Sequence, residues 1–159
     1  SGWLLDAYGI QAPTIDVSYA VGDRWLTRVA ERIYLDGVEI PSLSLETMVG
    51  AAGHDDTFVI ASTEQIVTIG EQFEVLDRVA GLGLPGPIEA LASDGTGLWL
   101  RADGQGFSFD PLSLRLARVN QQDSIPDWSR PAELPAAVEA DIVAAYRGRG
   151  CRVLFADTA

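Results

Sequence analysis

The chain has almost none of the residues on which most nucleophilic and metal chemistry depends. It carries one cysteine (Cys151), one histidine (His54) and no lysine in 159 residues. A lone cysteine cannot form an intrachain disulfide, and with a single histidine no zinc-ligand spacing exists. Without lysine there is no Walker loop, and no G-x-S-x-G elbow or other nucleophile motif is present. Positive charge is scarce too: 11 basic against 23 acidic side chains give a net charge of −12. That balance repels phosphate backbones and argues against nucleic acid as a partner. Long apolar runs are also missing, since no segment approaches the roughly 18 apolar residues that mark a membrane-spanning helix, and no basic-then-apolar leader is seen.

What the chain does contain is alternation and turns. From about Ile15 to Val119 apolar and polar residues alternate with period 2, as in Phe107-Ser108-Phe109. Leu112, Leu114 and Leu116 likewise share one face opposite Ser113, Arg115 and Ala117, which reads as a half-buried antiparallel strand. Between such runs lie "VGDRW" (21–25), "LDGV" (35–38), "GHDDT" (53–57), "IGEQF" (69–73), "SDGTG" (93–97) and "ADGQG" (102–106). Asp-Gly pairs supply the positive φ angles of tight hairpins.

Residues 17–40, 48–75 and 88–116 repeat the order strand, turn, strand, turn, strand. Trp25, Phe58 and Trp99 fall at matching places, 33 and 41 residues apart. The longer spacing approaches the ~40–45 residues of a propeller blade, although three units are fewer than the four to eight of a typical ring. The fold expected is mainly β: three blade-like antiparallel sheets, propeller-like but incomplete, with a β-sandwich or barrel as the alternative. Residues 11–119 form this β body. A polar, proline-bearing connector follows at 120–132, and 133–159 hold a helix and a final strand. Leu134, Val138, Ile142 and Tyr146 line one helical face, Pro135 lies in the first turn, and Gly148 is the expected stop before a strand at "CRVLFAD".

Few motifs survive as chemistry. The glycines of "SDGTGLWLRADGQGFSFDP" (93–111) lead into a strand rather than a helix, so they make hairpin turns and not a phosphate loop. His54, Asp55 and Asp56 are the one cluster of imidazole and carboxylates, a candidate for loose cation binding, yet neighbours on an extended chain point apart. Glu71 and Glu74 read as exposed, and carboxylate-only chemistry such as glycoside hydrolysis stays open. Trp25 and Trp99 read as core or blade-packing residues. Trp3, Leu4, Leu5 and Tyr8 form an apolar amino terminus, either a strap on the domain or the continuation of a membrane anchor, and are the candidate partner-facing or membrane-proximal residues. No cofactor is implied.

Three segments resemble a known family: "WLLDAYGI" (3–10), "VGDRWLTRVAERIYLDGVEI" (21–40) and "LPAAVEADIVAAYRGRGCRVLFAD" (134–157). They are similar to the PepSY-associated transmembrane family of bacterial inner-membrane proteins. In that family a W-L-L-x-x-Y-G-I segment follows one membrane helix, and a Y-R-G-x-G turn with an apolar run precedes the next. The chain departs from the pattern at Cys151 and Arg152 and has no matching histidine or S-G-R at its end.

The resemblance implies a single extracytoplasmic domain over 1–159, on the periplasmic side of the bacterial inner membrane, tethered through flanking helices. It implies an interaction or sensory role beside a membrane-protein partner, in company with redox or iron-uptake systems, and no enzymatic activity. The second expectation is a soluble propeller-like module that binds a small molecule or carbohydrate, or hydrolyses it.

Overall fold

Primed two-residue turns set the architecture, because their backbone twist matches that of the strands they join. Asp103 and Gly104 take φ of 50° and 71°, Asp55 and Asp56 take 46° and 63°, and Gly22 takes 63°. Each sits between strands paired in tight register, such as Ala102 opposite Gln105 and His54 opposite Thr57. Ala30 and Glu31 make a turn of the same kind, with φ of 48° and 70°. There the Asp16 carboxylate stands in for glycine's tolerance: its Oδ2 accepts from Ala30 N and from Arg28 Nη1, both at 3.0 Å.

The computed structural model describes residues 3–5 and 11–158, with side chains from residue 14 to residue 148. A short hairpin pairs β1 (Trp3–Leu5) with β2 (Gln11–Pro13). Three four-stranded antiparallel sheets follow, each a simple meander. The first comprises β3 (Val17–Val21), β4 (Arg24–Val29), β5 (Arg32–Leu35) and β6 (Val38–Ser44). The second comprises β7 (Gly50–His54), β8 (Thr57–Ala61), β9 (Gln65–Ile69) and β10 (Val75–Ala80). The third comprises β11 (Ile88–Ser93), β12 (Leu98–Ala102), β13 (Gln105–Asp110) and β14 (Arg115–Arg118). A 3₁₀ turn at Gln122–Ser124 and one long helix, α1 (Ala136–Thr158), complete the fold.

The sheets pack in sequence order. Leu26, Ile33 and Leu35 of the first sheet meet Ile60, Val67 and Ile69 of the second. The other face of the second, through Val59, Ala61 and Ile66, meets Leu91, Leu98, Leu100 and Phe109 of the third. On its far side the first sheet packs Val29 and Tyr34 against Ile142 of α1, with Leu134, Val138 and Tyr146 beside them. The helical face expected from spacing is therefore the face that is used.

Mainly β architecture with three antiparallel units is thus as expected, with each unit holding four strands. Among the described residues no sheet closes on itself, so no barrel forms, and the three sheets stay separate. The first strand of each unit lies innermost, with β3 beside β7 and β7 beside β11. Their free edges would carry unpaired backbone groups, and the connector covers them. Ser129 N donates to Leu91 O at 2.8 Å, Ser129 Oγ accepts from Ala51 N at 3.2 Å, and Ala132 N donates to Ser18 O at 2.9 Å. Contact is so close at Gly50 that an added Cβ would lie 2.7 Å from Leu91 Cβ and 2.9 Å from Ser129 Oγ.

Three expectations need correction. The segment "CRVLFAD" is not a strand: α1 runs on to Thr158. Gly148 does not take the positive φ of a helix stop, and glycine inside a helix costs only about 1 kcal/mol relative to alanine. Leu112 and Leu114 are not strand residues either, since β14 starts at Arg115. The Asp110 carboxylate captures Leu112 N at 3.0 Å and Ser113 Oγ at 2.9 Å, and this local bonding outcompetes the ladder.

Trp25 and Trp99 are half-buried, not core. Together with Phe58 they do occupy the second position of the second strand in each sheet. However, Phe58 packs toward the first sheet, whereas Trp99 alternates with Leu98 and Leu100 and so faces away from the second. A one-residue offset is enough to exchange the faces. Of the expected terminal strap, Tyr8 lies outside the described residues, and for Trp3, Leu4 and Leu5 only the backbone is described.

Two substitutions test this arrangement. Gly50→Ala should lower stability by about 2 kcal/mol, by forcing strand and connector apart, in a chemical denaturation experiment. Gly148→Ala, where nothing stands within 4 Å of the added Cβ, should raise it by about 1 kcal/mol; a loss would mean that Gly148 ends the helix after all.

Candidate binding cleft

Hairpin turns rather than strand faces bring the polar side chains together. The β7–β8 turn contributes His54, Asp55 and Thr57, the β11–β12 turn contributes Thr96 and Gly97, and the β13–β14 turn contributes Asp110 and Leu112. With Thr68 and Asp77 from β9 and β10 they line an open cleft of about 550 Å³ between the second and third sheets. That volume lies within the ~300–1,000 Å³ usual for ligand sites.

The turns are bonded to one another across the sheet boundary. Asp55 N donates to Gly95 O at 3.0 Å, and Ser93 Oγ donates to Gly53 O at 2.6 Å. A parallel bridge joins His54 and Gly95. Thr57 Oγ1 in turn donates to His54 O at 2.5 Å. The wall of the cleft is therefore fixed by backbone bonds before any ligand arrives.

Two aspartates hold the turns open. Asp94 Oδ1 accepts from Gly97 N at 2.7 Å, Thr96 N at 3.0 Å and Thr96 Oγ1 at 3.1 Å, and these bonds, led by that from Gly97, hold its pKa below the usual 3.8. The Leu112 amide, then the Ser113 hydroxyl, does the same for Asp110, with a smaller attraction from Arg115. Such a carboxylate remains ionised at neutral pH and is a poor general acid, which needs a raised pKa. Asp110 also accepts from Leu114 N through its backbone carbonyl at 2.8 Å, and Leu114 takes φ of 60°. Leu112 is left 95 % exposed at the tip of the tethered turn.

The expected His54-Asp55-Asp56 cluster is divided. His54 and Asp55 line the cleft, with Nε2 at 3.4 Å from Asp55 Oδ2, while Asp56 is exposed and stands outside it. His54 Nδ1 is buried with no hydrogen-bond partner among the described residues. Among the described residues no group of three or more His, Cys, Asp or Glu side chains is arranged to hold a metal ion. Glu71 and Glu74 are exposed and line no part of this cleft.

Thr57, Thr68, Asp77, Thr96, Asp110 and Leu112 were not singled out as site residues by sequence reasoning. Thr57 and Thr96 lie within turns that the sequence does announce, and the Asp-Pro-Leu-Ser run at 110–113 carries the further signal of an Asp-initiated turn. Convergence of three hairpins separated by dozens of residues leaves no sequence pattern.

Because the folded-state pKa values of Asp94 and Asp110 lie below 3.8, their ionised forms favour the fold. Their contribution is complete above the ordinary carboxylate range and is lost as pH falls through the lower folded-state values. Asp110→Ala should flatten the decline of melting temperature on acidification below about pH 4; an unchanged acid limb would show that Asp110 is not titrating in this way.

No protein-family model matches the chain, and no curated protein sequence matches it.

Proposed function

We propose that this protein is a non-enzymatic, extracytoplasmic interaction or sensory domain of a PepSY-associated membrane protein. The observation that carries the binding part of this reading is the cleft itself. Its walls are prefixed by backbone bonds, and its carboxylate Asp110 is committed to accepting turn hydrogen bonds rather than to giving a proton. Among the described residues no serine or threonine hydroxyl is bonded to the His54 ring, so the pairing that activates a nucleophile is missing there.

The membrane setting rests on the sequence resemblance, and one feature of the fold supports it. Strand β2 lies alongside α1, so the segments near the two ends of the chain meet on one side of the first sheet. The cleft opens two layers away, between the second and third sheets. A domain held at one side and open at the other suits an accessory role beside a membrane partner, such as a redox or iron-uptake system. A second reading, a soluble carbohydrate-binding module, draws support from the half-exposed indole of Trp99 on the outer face of the third sheet.

Cell fractionation of the native gene product separates the two. Carbonate-resistant association with the inner membrane, with this domain digested by protease added to spheroplasts, is the expected result. Recovery in a soluble fraction would overturn the membrane reading and favour the second.

A further inference from the structure

We propose that the cleft between the second and third sheets receives an arginine or lysine side chain of a partner protein, with a neighbouring apolar residue of that partner seated on Leu112. The inference rests on the binding reading above and goes beyond it by naming the chemistry of the occupant.

Charge complementarity is the first argument. Asp55, Asp77 and Asp110 border the cleft, on a chain of net charge −12. Among the described residues none of the three forms an ion pair with an arginine within 4 Å. Asp55 has only the His54 ring at 3.4 Å, and Asp77 Oδ1 accepts from the Arg78 backbone at 2.9 Å. Arg115 acts on Asp110 only as a weak, more distant charge. Carboxylates that retain open lone pairs beside threonine hydroxyls match the several donors of a guanidinium or ammonium group. His54 Nδ1 adds a buried polar atom that has no hydrogen-bond partner among the described residues.

Preorganisation is the second. A leucine exposed to 95 % is ordinarily on a mobile tip, but here the Asp110 carboxylate and carbonyl fix the turn on both sides of Leu112. Little ordering entropy remains to be lost when an apolar group covers it. The positive φ at Leu114 marks backbone strain that these bonds sustain. A free amine would use the carboxylates and leave Leu112 untouched; a peptide uses both.

The test is an NMR titration of the 159-residue chain with acetyl-Arg-Leu-amide, its neutral isostere acetyl-citrulline-Leu-amide, and acetyl-Arg-Ser-amide. Expected are saturable shifts at the amides of Asp55, Gly97 and Leu112, with affinity about tenfold weaker for the citrulline peptide, as for loss of one charge-assisted contact. Affinity should also fall severalfold for the serine peptide and for the Leu112→Ser protein. Asp77→Asn should weaken binding with the remaining spectrum unchanged, which keeps the result separate from any folding defect.

Equal binding of the citrulline peptide would overturn the proposal, as would shifts spread over acidic residues outside the cleft, such as Glu71 and Glu133. Binding of arginine that ignores both Leu112→Ser and the serine peptide would replace the partner protein with a free organic cation. Membrane topology is read by fractionation alone, so failure here leaves that reading where it stood.

Discussion

The arrangement depends on how three inner strand edges are satisfied. β3, β7 and β11 each begin a sheet, and each would expose one row of backbone donors and acceptors toward its neighbours. In a closed ring such edges surround a shared axis; here no ring closes. The connector takes their place, touching β11 and β7 through Ser129 and β3 through Ala132, where Ser18 Oγ also donates to Ala132 O at 2.5 Å. A polar, proline-bearing segment suits the task. Its backbone is free of any ladder of its own, and Gly50 gives it room to approach. The outer edges are guarded differently: β6 and β10 carry register shifts, and β14 begins and ends with arginine.

This division explains which parts of the fold could be read in the sequence. Strand faces and tight turns were legible because both are local. Leu98, Leu100 and Phe109 share the packed face that their alternation predicts, and Asp103-Gly104 turns where its chemistry requires. Errors arose where a local side-chain bond competed with a pattern. Leu112 and Leu114 kept the alternation of a strand, but the Asp110 carboxylate removed them from the ladder. At Gly148 the ambiguity is intrinsic, since glycine accepts helical and left-handed angles alike. The cleft was least legible. It is assembled from residues 54–55, 57, 68, 77, 96–97 and 109–112, brought together by the packing of the second sheet on the third, and no local pattern announces that packing.

The cleft and the turns that bound it are one piece of physics. Asp94 and Asp110 each gather amide donors onto their carboxylates, which rigidifies their turns and keeps the charge. Set beside the β7–β8 turn with its Asp55, these two turns give the sheet boundary an acidic rim. No catalytic pair is needed for that outcome, and none of the bonds serves only a ligand. Recognition would thus be a by-product of hairpin construction, with Leu112 and His54 Nδ1 as the two features that the fold itself does not use.

Stacks of repeated β units must also finish at both ends, because a terminal sheet presents an uncovered face. At one end α1 lies over the first sheet, burying Ile142 completely against Val29 and Tyr34. At the other, the connector returns across the third sheet: a Cβ at Gly106 would meet Ile125, and the Arg101 guanidinium lies 5.5 Å over the Trp128 ring. Gln122 fastens this crossing, its Oε1 accepting from Gly106 N at 2.7 Å. One connector therefore caps the last sheet, seals the inner edges, and leads into the helix that caps the first. Three units suffice without ring closure because the segment after them closes the structure in a different way. The face it leaves half-covered is the one that carries Trp99, on the side of the third sheet opposite the cleft.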